Sequence, residues 1–193
     1  KHIIRYGVGY DKVDLAECKK RNITVSNNPA YCIEEVSATA TAMILNIARG
    51  TSEYDAASKF YYNSWQENAM TKLRRNSEIT VGIIGAGNFT KMTMLPILKK
   101  TTANLYSIAS AGGVTGTALA KKYNINFSTT DYNSILKDEN VDLVLVTTRH
   151  NNHADLVIEC LHNNKNVFEE KPLAITPEQL EKVEKAYQEN GYN

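Results

Sequence analysis

A short glycine-rich loop, Gly85-Ala86-Gly87, follows directly after an apolar run at residues 79–84. Gly85 permits the tight turn from a strand into a helix, and Gly87 has no side chain to keep a pyrophosphate away from the backbone. The helix that follows would direct the positive end of its dipole at the phosphates. Gly85, Gly87 and Asn88 are therefore predicted to hold the pyrophosphate of a dinucleotide, NAD or NADP, and Ala86 and Phe89 are further predicted cofactor-binding residues of this loop.

A glycine turn on its own is a weak signal, because ordinary α/β domains contain similar turns. The elements around this loop strengthen the signal, since strand-like and helix-like patterns alternate from residue 79 onward. They predict strands at residues 79–84, 105–109, 126–128, 141–146 and 167–168, and helices at 88–100, 115–123, 132–136, 154–163 and 177–189. This alternation predicts an α/β fold, a doubly wound parallel-sheet Rossmann domain. The nearly continuous apolar strands are typical of a sheet covered on both faces.

Two positions near the loop bear on the cofactor and on packing. Ser110 stands at the predicted tip of the second strand, where an acidic residue normally reads the adenosine ribose of NAD, or an Arg the 2′-phosphate of NADP. Neither residue type is present there, so both cofactors remain open, and Lys121 and Lys122 are expected on a solvated helix face. Thr90 occupies the third position of the glycine motif, where Gly or Ala is usual, and is expected to loosen the packing of helix on strand.

The segment that precedes this domain predicts a partial strand–helix–strand unit and a long helix. Strand, helix and strand patterns follow one another at residues 3–6, 14–21 and 23–25. Pro29 then interrupts the regular pattern. Apolar residues at helical spacing predict a long helix at 33–49, with Gly50 just beyond its end. The mixed, aromatic-rich stretch at 51–76 is interpreted as a helix followed by a connection.

The composition argues against several classes of partner and site. A formal net charge of +1 gives no general attraction to nucleic acid or to a membrane surface, and no apolar run reaches the roughly 20 residues of a membrane-spanning helix. The cysteines, Cys18, Cys32 and Cys160, form no CxxC pair, so a reducing, cytoplasmic setting is expected. His150 and His153 have a spacing that suits a metal, but no third ligand is apparent and no metal site is predicted.

Three further motifs follow the glycine loop: Thr129-Thr130-Asp131, then Val-Thr-Thr-Arg-His-Asn-Asn-His-Ala at residues 146–154, then Val-Phe-Glu-Glu-Lys-Pro-Leu at 167–173. With these motifs, residues 79–193 resemble the nucleotide-binding domain of the Gfo/Idh/MocA oxidoreductase family. The family's usual fourth-strand motif is Thr-Pro-Asn-x-x-His, so Thr148 and His153 match it, whereas Arg149 and His150 replace the Pro and the Asn. Members in which this domain is fused behind a zinc-alcohol-dehydrogenase-like one also carry Arg-His there.

The resemblance implies where cofactor and substrate lie. The family's Glu-Lys-Pro motif places Lys171 beside the nicotinamide and the substrate, so Lys171 is the predicted catalytic residue. A buried, partly desolvated Lys at this strand end could hydrogen-bond a substrate hydroxyl and help to move its proton. Besides the glycine loop and Ser110, the cofactor-binding residues that the resemblance implies are Thr147, Thr148, His150, His153, Glu170, Lys171 and Pro172.

The first 75 residues resemble a different family, the D-isomer-specific 2-hydroxyacid dehydrogenases, through runs at residues 5–14, 22–29, 31–36 and 44–49. In those enzymes a glycine loop offers N–H groups to the substrate carboxylate, which implies substrate binding by Gly7, Val8 and Gly9. A plain strand-end turn explains these residues equally well. Arg149 could stand for that family's catalytic Arg, but its neighbours belong to the Gfo/Idh/MocA motif, and nothing after Pro172 supplies the catalytic His.

The chain is therefore expected to be composite. Residues 1–75 would be a partial 2-hydroxyacid-dehydrogenase-like segment with a crossover helix, and residues 76–193 an NAD(P)-binding Rossmann domain whose C-terminal substrate domain is absent. The predicted function is hydride transfer between a nicotinamide and a hydroxyl–carbonyl carbon of a sugar or polyol. The alternatives are a D-2-hydroxyacid dehydrogenase acting on a small 2-keto acid and a non-catalytic dinucleotide-binding module. The expected partner is a small-molecule substrate, with no nucleic acid or membrane, and a homo-oligomer is left open.

Overall fold

The computed structural model describes residues 1–52 and 75–190. The chain divides into two compact units, Lys1–Thr39 and Ala40–Asn193, each with its own parallel sheet. The helix and connection predicted at residues 51–76 fall mainly on 53–74, which lie outside the described residues. The division of the chain by family at residues 75 and 76 stays a prediction.

The first unit is the predicted strand–helix–strand segment. Its elements are β1 (His2–Arg5), α1 (Leu15–Lys20) and β2 (Thr24–Asn27). The two strands are parallel, with His2 opposite Thr24 and Arg5 opposite Asn27. Asp14 caps α1, because its side chain accepts a hydrogen bond of 2.9 Å from the Glu17 N–H, which no carbonyl within the helix can accept.

The long helix α2 (Ile33–Arg49) has the bounds that the apolar spacing predicts. Glu34 and Glu35 lie in its first turn, where negative charge is favourable beside the positive end of the helix dipole. Gly50 follows with a φ of 56°, the left-handed conformation that commonly ends a helix. In the second half of α2, Ala40 and Ile44 are buried in the core of the second unit.

The second unit is built on a five-stranded, entirely parallel sheet in the order β5-β4-β3-β6-β7. The strands are β3 (Thr80–Ile84), β4 (Asn104–Ala109), β5 (Phe127–Thr129), β6 (Leu143–Val146) and β7 (Asn166–Glu169). The chain proceeds outward from β3 to β5 and then returns to the other side of β3, so the strand order reverses between β3 and β6. This arrangement confirms the doubly wound Rossmann prediction, and ligands of such sheets bind at the reversal, outside the carboxyl ends of the strands.

Helices cover both faces of the sheet. They are α3 (Leu95–Leu98), α4 (Val114–Tyr123), α5 (Asn133–Leu136), α6 (His153–His162) and α7 (Pro177–Glu189), with short 3₁₀ turns at Asn76–Glu78 and His150–Asn152. Alternate strand residues divide between two cores: Val81 and Ile83 pack with α3 and α4, whereas Ile84 packs with α5 and α6. Helix α7 packs on α6 through a third apolar cluster. No helix among the described residues combines the length and the apolar character needed to span a membrane.

The helix predicted at residues 88–100 differs from the structure. A π-helical turn at Thr90–Met94 comes first, and α3 follows it. The Leu95 N–H donates to the Thr90 carbonyl, five residues back, and Pro96 follows without any N–H to donate. A regular α-helix would need that missing donor, so the proline explains why the hydrogen-bond ladder shifts here.

Candidate functional site

A cleft of about 1120 Å³ lies at the carboxyl ends of β3, β4 and β6, where the strand order reverses. Six of the predicted cofactor-binding residues line it: Gly85, Ala86, Gly87, Ser110, Thr147 and Thr148. They come from three separate loops, which the parallel sheet brings to one edge. The cleft therefore has the size and the position of a small-molecule site in this kind of fold.

Gly85 and Gly87 are glycines for different reasons. Gly85 has a φ of +116°, and a Cβ atom there would lie 2.6 Å from the Thr147 carbonyl oxygen. The tight turn predicted at Gly85 is thus confirmed, because only glycine tolerates both the conformation and the close approach. At Gly87, a Cβ would meet only the Thr147 oxygen, at 3.9 Å. The protein leaves open space on the cleft side of Gly87, which fits the prediction that a ligand approaches the backbone there.

Thr90 holds the glycine loop in place. Its side chain is fully buried, and its Oγ1 lies 2.7 Å from Thr147 Oγ1 and 3.1 Å from the Gly85 carbonyl oxygen, to which it donates. The expectation that Thr90 loosens the packing is therefore wrong. The buried hydroxyl is satisfied by partners on both strand ends, so it joins the glycine loop to the loop after β6.

Ser110 lies at the tip of β4, as predicted, and its hydroxyl oxygen accepts one hydrogen bond from the protein. The Gly116 N–H donates to Ser110 Oγ over 3.2 Å, which ties the strand end to α4. Lys121 and Lys122 are exposed in the last turn of α4, in agreement with the sequence prediction. The residues that follow Ser110, at 111–113, carry no charge.

His153 is fully buried and does not line the cleft. Its Nδ1 atom lies 2.9 Å from the Pro172 carbonyl oxygen, and its Nε2 atom lies 3.2 Å from the Thr148 carbonyl oxygen. The imidazole thus connects the loop after β6 with the loop after β7. The histidine of the fourth-strand motif is therefore buried between these two loops and does not line the cleft.

Glu169, the last residue of β7, shares this buried environment. Its Oε1 atom lies 2.7 Å from His153 Nδ1, although neither carboxyl oxygen has a hydrogen bond of regular geometry. Burial, and secondly the negative charge of Glu170, raise the pKa of Glu169 to about 9. The carboxyl therefore holds a proton at neutral pH. A proton at this position removes the cost of burying a carboxylate that no hydrogen bond stabilises, and it removes the repulsion from the charge of Glu170.

The remaining predicted residues lie outside the lining of the cleft. Phe89 packs against the hydrophobic core, whereas Asn88 and His150 are exposed. Lys171 is exposed as well, which corrects the expectation of a buried lysine: it follows the edge strand β7, in the turn that leads to α7. Its neighbours in the motif, Glu170 and Pro172, are half-buried.

Several residues that line the cleft were not among the predicted cofactor-binding residues. Arg149 and Asn152 follow β6, and α6 adds Asp155, Leu156 and Glu159. Asp155 and Glu159 are four positions apart, so the spacing indicates that they share one face of α6, but it does not indicate that this face lines the cleft. Tyr132, immediately before α5, also lines the cleft. Its hydroxyl donates to Glu159 Oε1 over 3.2 Å, and burial raises the pKa of this tyrosine.

The loop at residues 7–9 belongs to the first unit. Asn27 Nδ2 donates to the Val8 carbonyl over 2.7 Å, and Arg5 Nε donates to the Gly9 carbonyl over 3.0 Å. These bonds fix the loop through its carbonyl groups, and substrate binding by the N–H groups of Gly7, Val8 and Gly9 stays a prediction. Among the described residues, no cluster of three or more His, Cys, Asp or Glu side chains is arranged to hold a metal ion.

Comparison with known proteins assigns the family. Residues 79–192 match the model of the oxidoreductase family GFO_IDH_MocA, NAD-binding Rossmann fold. The match covers more than half of the chain, and the chain belongs to this family of NAD(P)-dependent oxidoreductases. The resemblance stated from the glycine loop and the later motifs is thereby confirmed.

Individual relatives cover parts of the chain. Inositol 2-dehydrogenase from Salmonella typhimurium is 33% identical over 116 residues, which are 58% of this chain and 33% of the relative. Glyoxylate/hydroxypyruvate reductase A HPR2 from Arabidopsis thaliana is 36% identical over 84 residues, 42% of this chain and 26% of the relative. The crystal structure of KijD10, a 3-ketoreductase from Actinomadura kijaniata in complex with NADP and TDP-benzene, is 26% identical with a TM-score of 0.53, over 58% of this chain and 35% of that one. The chain thus spans about a third of the length of its relatives.

Proposed function

We propose that this chain binds NAD or NADP in the cleft at the strand-order reversal and serves hydride transfer to or from a hydroxyl–carbonyl carbon. The observation that carries the proposal is the open space in front of Gly87. There the backbone lines the cleft and the fold itself does not exclude a side chain. A glycine that the fold does not need is explained by a ligand that approaches the backbone closely.

Each loop has a part in this proposal. The backbone of Gly85, Ala86 and Gly87 would hold the pyrophosphate, and the loops that contain Ser110 and Thr148 would hold the adenosine and nicotinamide portions. The cofactor supplies the hydride chemistry, and the protein binds and orients it. Lys171, exposed after β7, would hydrogen-bond the substrate hydroxyl or carbonyl and hold or deliver its proton.

A sugar or polyol is the substrate class that we propose. Its support is the similarity to an inositol 2-dehydrogenase and to a 3-ketoreductase. The second candidate is a D-2-hydroxyacid dehydrogenase. It is favoured by the similarity to the Arabidopsis glyoxylate/hydroxypyruvate reductase and by the loop at residues 7–9. The third is a non-catalytic dinucleotide-binding module.

Fluorescence titration with NADH and NADPH tests the shared premise. We expect saturable enhancement with at least one cofactor in the micromolar-to-millimolar range, and its absence with both would refute the premise. Adding a keto sugar or a small 2-keto acid then separates the candidates. Oxidation of the reduced cofactor by the first supports the sugar proposal, oxidation by the second supports the hydroxyacid alternative, and binding without turnover supports the module. Where turnover occurs, Lys171→Met should abolish it and leave cofactor binding intact.

A further inference from the structure

The side chain of Arg149 lies in the cleft, and none of the described residues pairs with it. It lies three residues beyond the end of β6, lines the cleft and is exposed. Within the part of the chain that the structure describes, its guanidinium forms no hydrogen bond and no ion pair. An unpaired arginine in a cleft retains all its N–H donors for a ligand.

Backbone contacts hold the loop that carries Arg149 in place. The Thr147 N–H donates to the Ile84 carbonyl over 2.9 Å, and the Thr147 carbonyl lies against Gly85. The loop after β6 is therefore in direct contact with the glycine loop. Arg149 itself precedes a 3₁₀ turn, in which the Asn152 N–H donates to the Arg149 carbonyl over 2.9 Å. The backbone of Arg149 is therefore held in a loop that contacts the glycine loop.

The charges of the cleft show which ligand group Arg149 suits. Of the described residues that line the cleft, Arg149 is the only one with a basic side chain, whereas Asp155 and Glu159 are acidic. A dinucleotide pyrophosphate is a dianion, and without Arg149 the charged side chains that it would meet among the described residues of the cleft are carboxylates. A guanidinium offers paired N–H donors that match phosphate oxygens, and such charge-assisted hydrogen bonds are stronger than neutral ones.

We propose that Arg149 supplies the positively charged side chain of the pyrophosphate site. Its guanidinium binds the diphosphate from the β6 side of the cleft, while the backbone N–H groups of the glycine loop bind it from the β3 side. This inference rests on the proposed function and deepens it, because it assigns a side chain to a group that the glycine loop alone would otherwise hold.

Competition binding with the full chain tests the proposal. NADH is titrated by fluorescence, and ADP and adenosine, which differ by the diphosphate, are used to displace it. The variants are Arg149→Gln, Arg149→Lys and, as a charge-matched control, Lys137→Gln. Lys137 is exposed between α5 and β6 and does not line the cleft. Thermal unfolding of each variant checks that the fold is intact, which is expected since both side chains are exposed.

Arg149→Gln should weaken the binding of NADH and of ADP about tenfold, the loss of a charge-assisted hydrogen-bond pair. The dissociation constant of adenosine, measured by its displacement of NADH, should be unchanged in Arg149→Gln. The NADH affinity of Arg149→Lys should lie between those of Arg149→Gln and wild type, and Lys137→Gln should match wild type. Raising the ionic strength from about 0.01 M to about 0.1 M shortens the screening length from about 30 Å to about 10 Å, so it should weaken wild type more than Arg149→Gln.

Two results would overturn the proposal while leaving the proposed function in place: equal NADH affinity for wild type and Arg149→Gln, or an equal loss for ADP and adenosine. If wild type itself binds neither NADH nor ADP, the proposed function and this inference fail together.

Discussion

The loop after β3 and the loop after β7 leave the same edge of one sheet but have different environments. The first, around Gly85 and Gly87, lines an open cleft. The second, around Lys171, is anchored from below by the buried ring of His153, which contacts the carbonyl oxygen of Pro172. Both loops are held by a buried polar side chain, Thr90 in the first case and His153 in the second. The difference is that the first loop depends in addition on the close backbone contact between Gly85 and Thr147, which leaves no room for a side chain at Gly85.

Gly85→Ala should break the first loop completely. Residue 85 has a φ of +116°, and the new Cβ would lie 2.6 Å from the backbone oxygen of Thr147. A backbone oxygen cannot move aside as the end of a flexible side chain could. We expect the free energy of unfolding to fall by about 4 kcal/mol, which is a large value for one methyl group. Chemical denaturation measures it, with Gly87→Ala as the matched control. A loss below about 1 kcal/mol would contradict the close approach.

His153→Phe should break the support of the second loop. A ring of similar size would fill the space, but the Pro172 and Thr148 carbonyl oxygens and the Glu169 carboxyl would lose their buried partner. We expect a loss of about 3 kcal/mol in the free energy of unfolding, because each buried polar group left without a hydrogen-bond partner costs about 1–3 kcal/mol. His150→Phe, at an exposed neighbouring position, is the control and should change little. Equal stability of both variants would show that the buried ring does not support the loop.

Glu169 should make the stability of the second loop depend on pH. Its pKa is about 9 in the folded protein against an ordinary value of 4.5, so between these values the folded state holds a proton that the unfolded chain has released. The stabilising contribution is therefore complete below about pH 4.5 and is lost as the pH rises toward 9. We expect wild type to lose on the order of 2 kcal/mol between about pH 6 and about pH 8 relative to Glu169→Gln. Parallel pH profiles for the two proteins would disprove the assignment.

Gly87→Ala should change ligand binding in the first loop and not its stability. The protein leaves room for the methyl group, so the melting temperature should stay within about a degree of wild type. A methyl group on the cleft side would hold the pyrophosphate away from the backbone, and we expect about tenfold weaker NADH binding. The same titration as for wild type measures it. Unchanged affinity would mean that the ligand does not approach this backbone.

The parts of the fold that depend on local sequence were predicted well. The apolar runs of β3 and β6, the glycine turn at Gly85 and the bounds of α2 follow from residue type and spacing alone. The π-helical turn before α3 was missed because a single residue, Pro96, interrupts an otherwise helical pattern.

The candidate site was predicted only in part, for a physical reason. The motif predicted that His153 and Lys171 belong to the site, but burial depends on which loops meet in three dimensions. The ring of His153 is buried, whereas Lys171 is exposed beyond the edge strand β7. Arg149 and the acidic residues of α6 enter the site because the parallel sheet brings their loop against the glycine loop, a proximity that sequence spacing does not contain.

An amide NMR titration with NADH tests the central claim, that the cleft binds a nicotinamide dinucleotide, most directly. The prediction is that the largest shifts fall on Gly85, Gly87, Ser110 and Thr148, which lie on three separate loops of the cleft. Saturation without shifts at these amides, or shifts confined to residues outside the cleft, would contradict it.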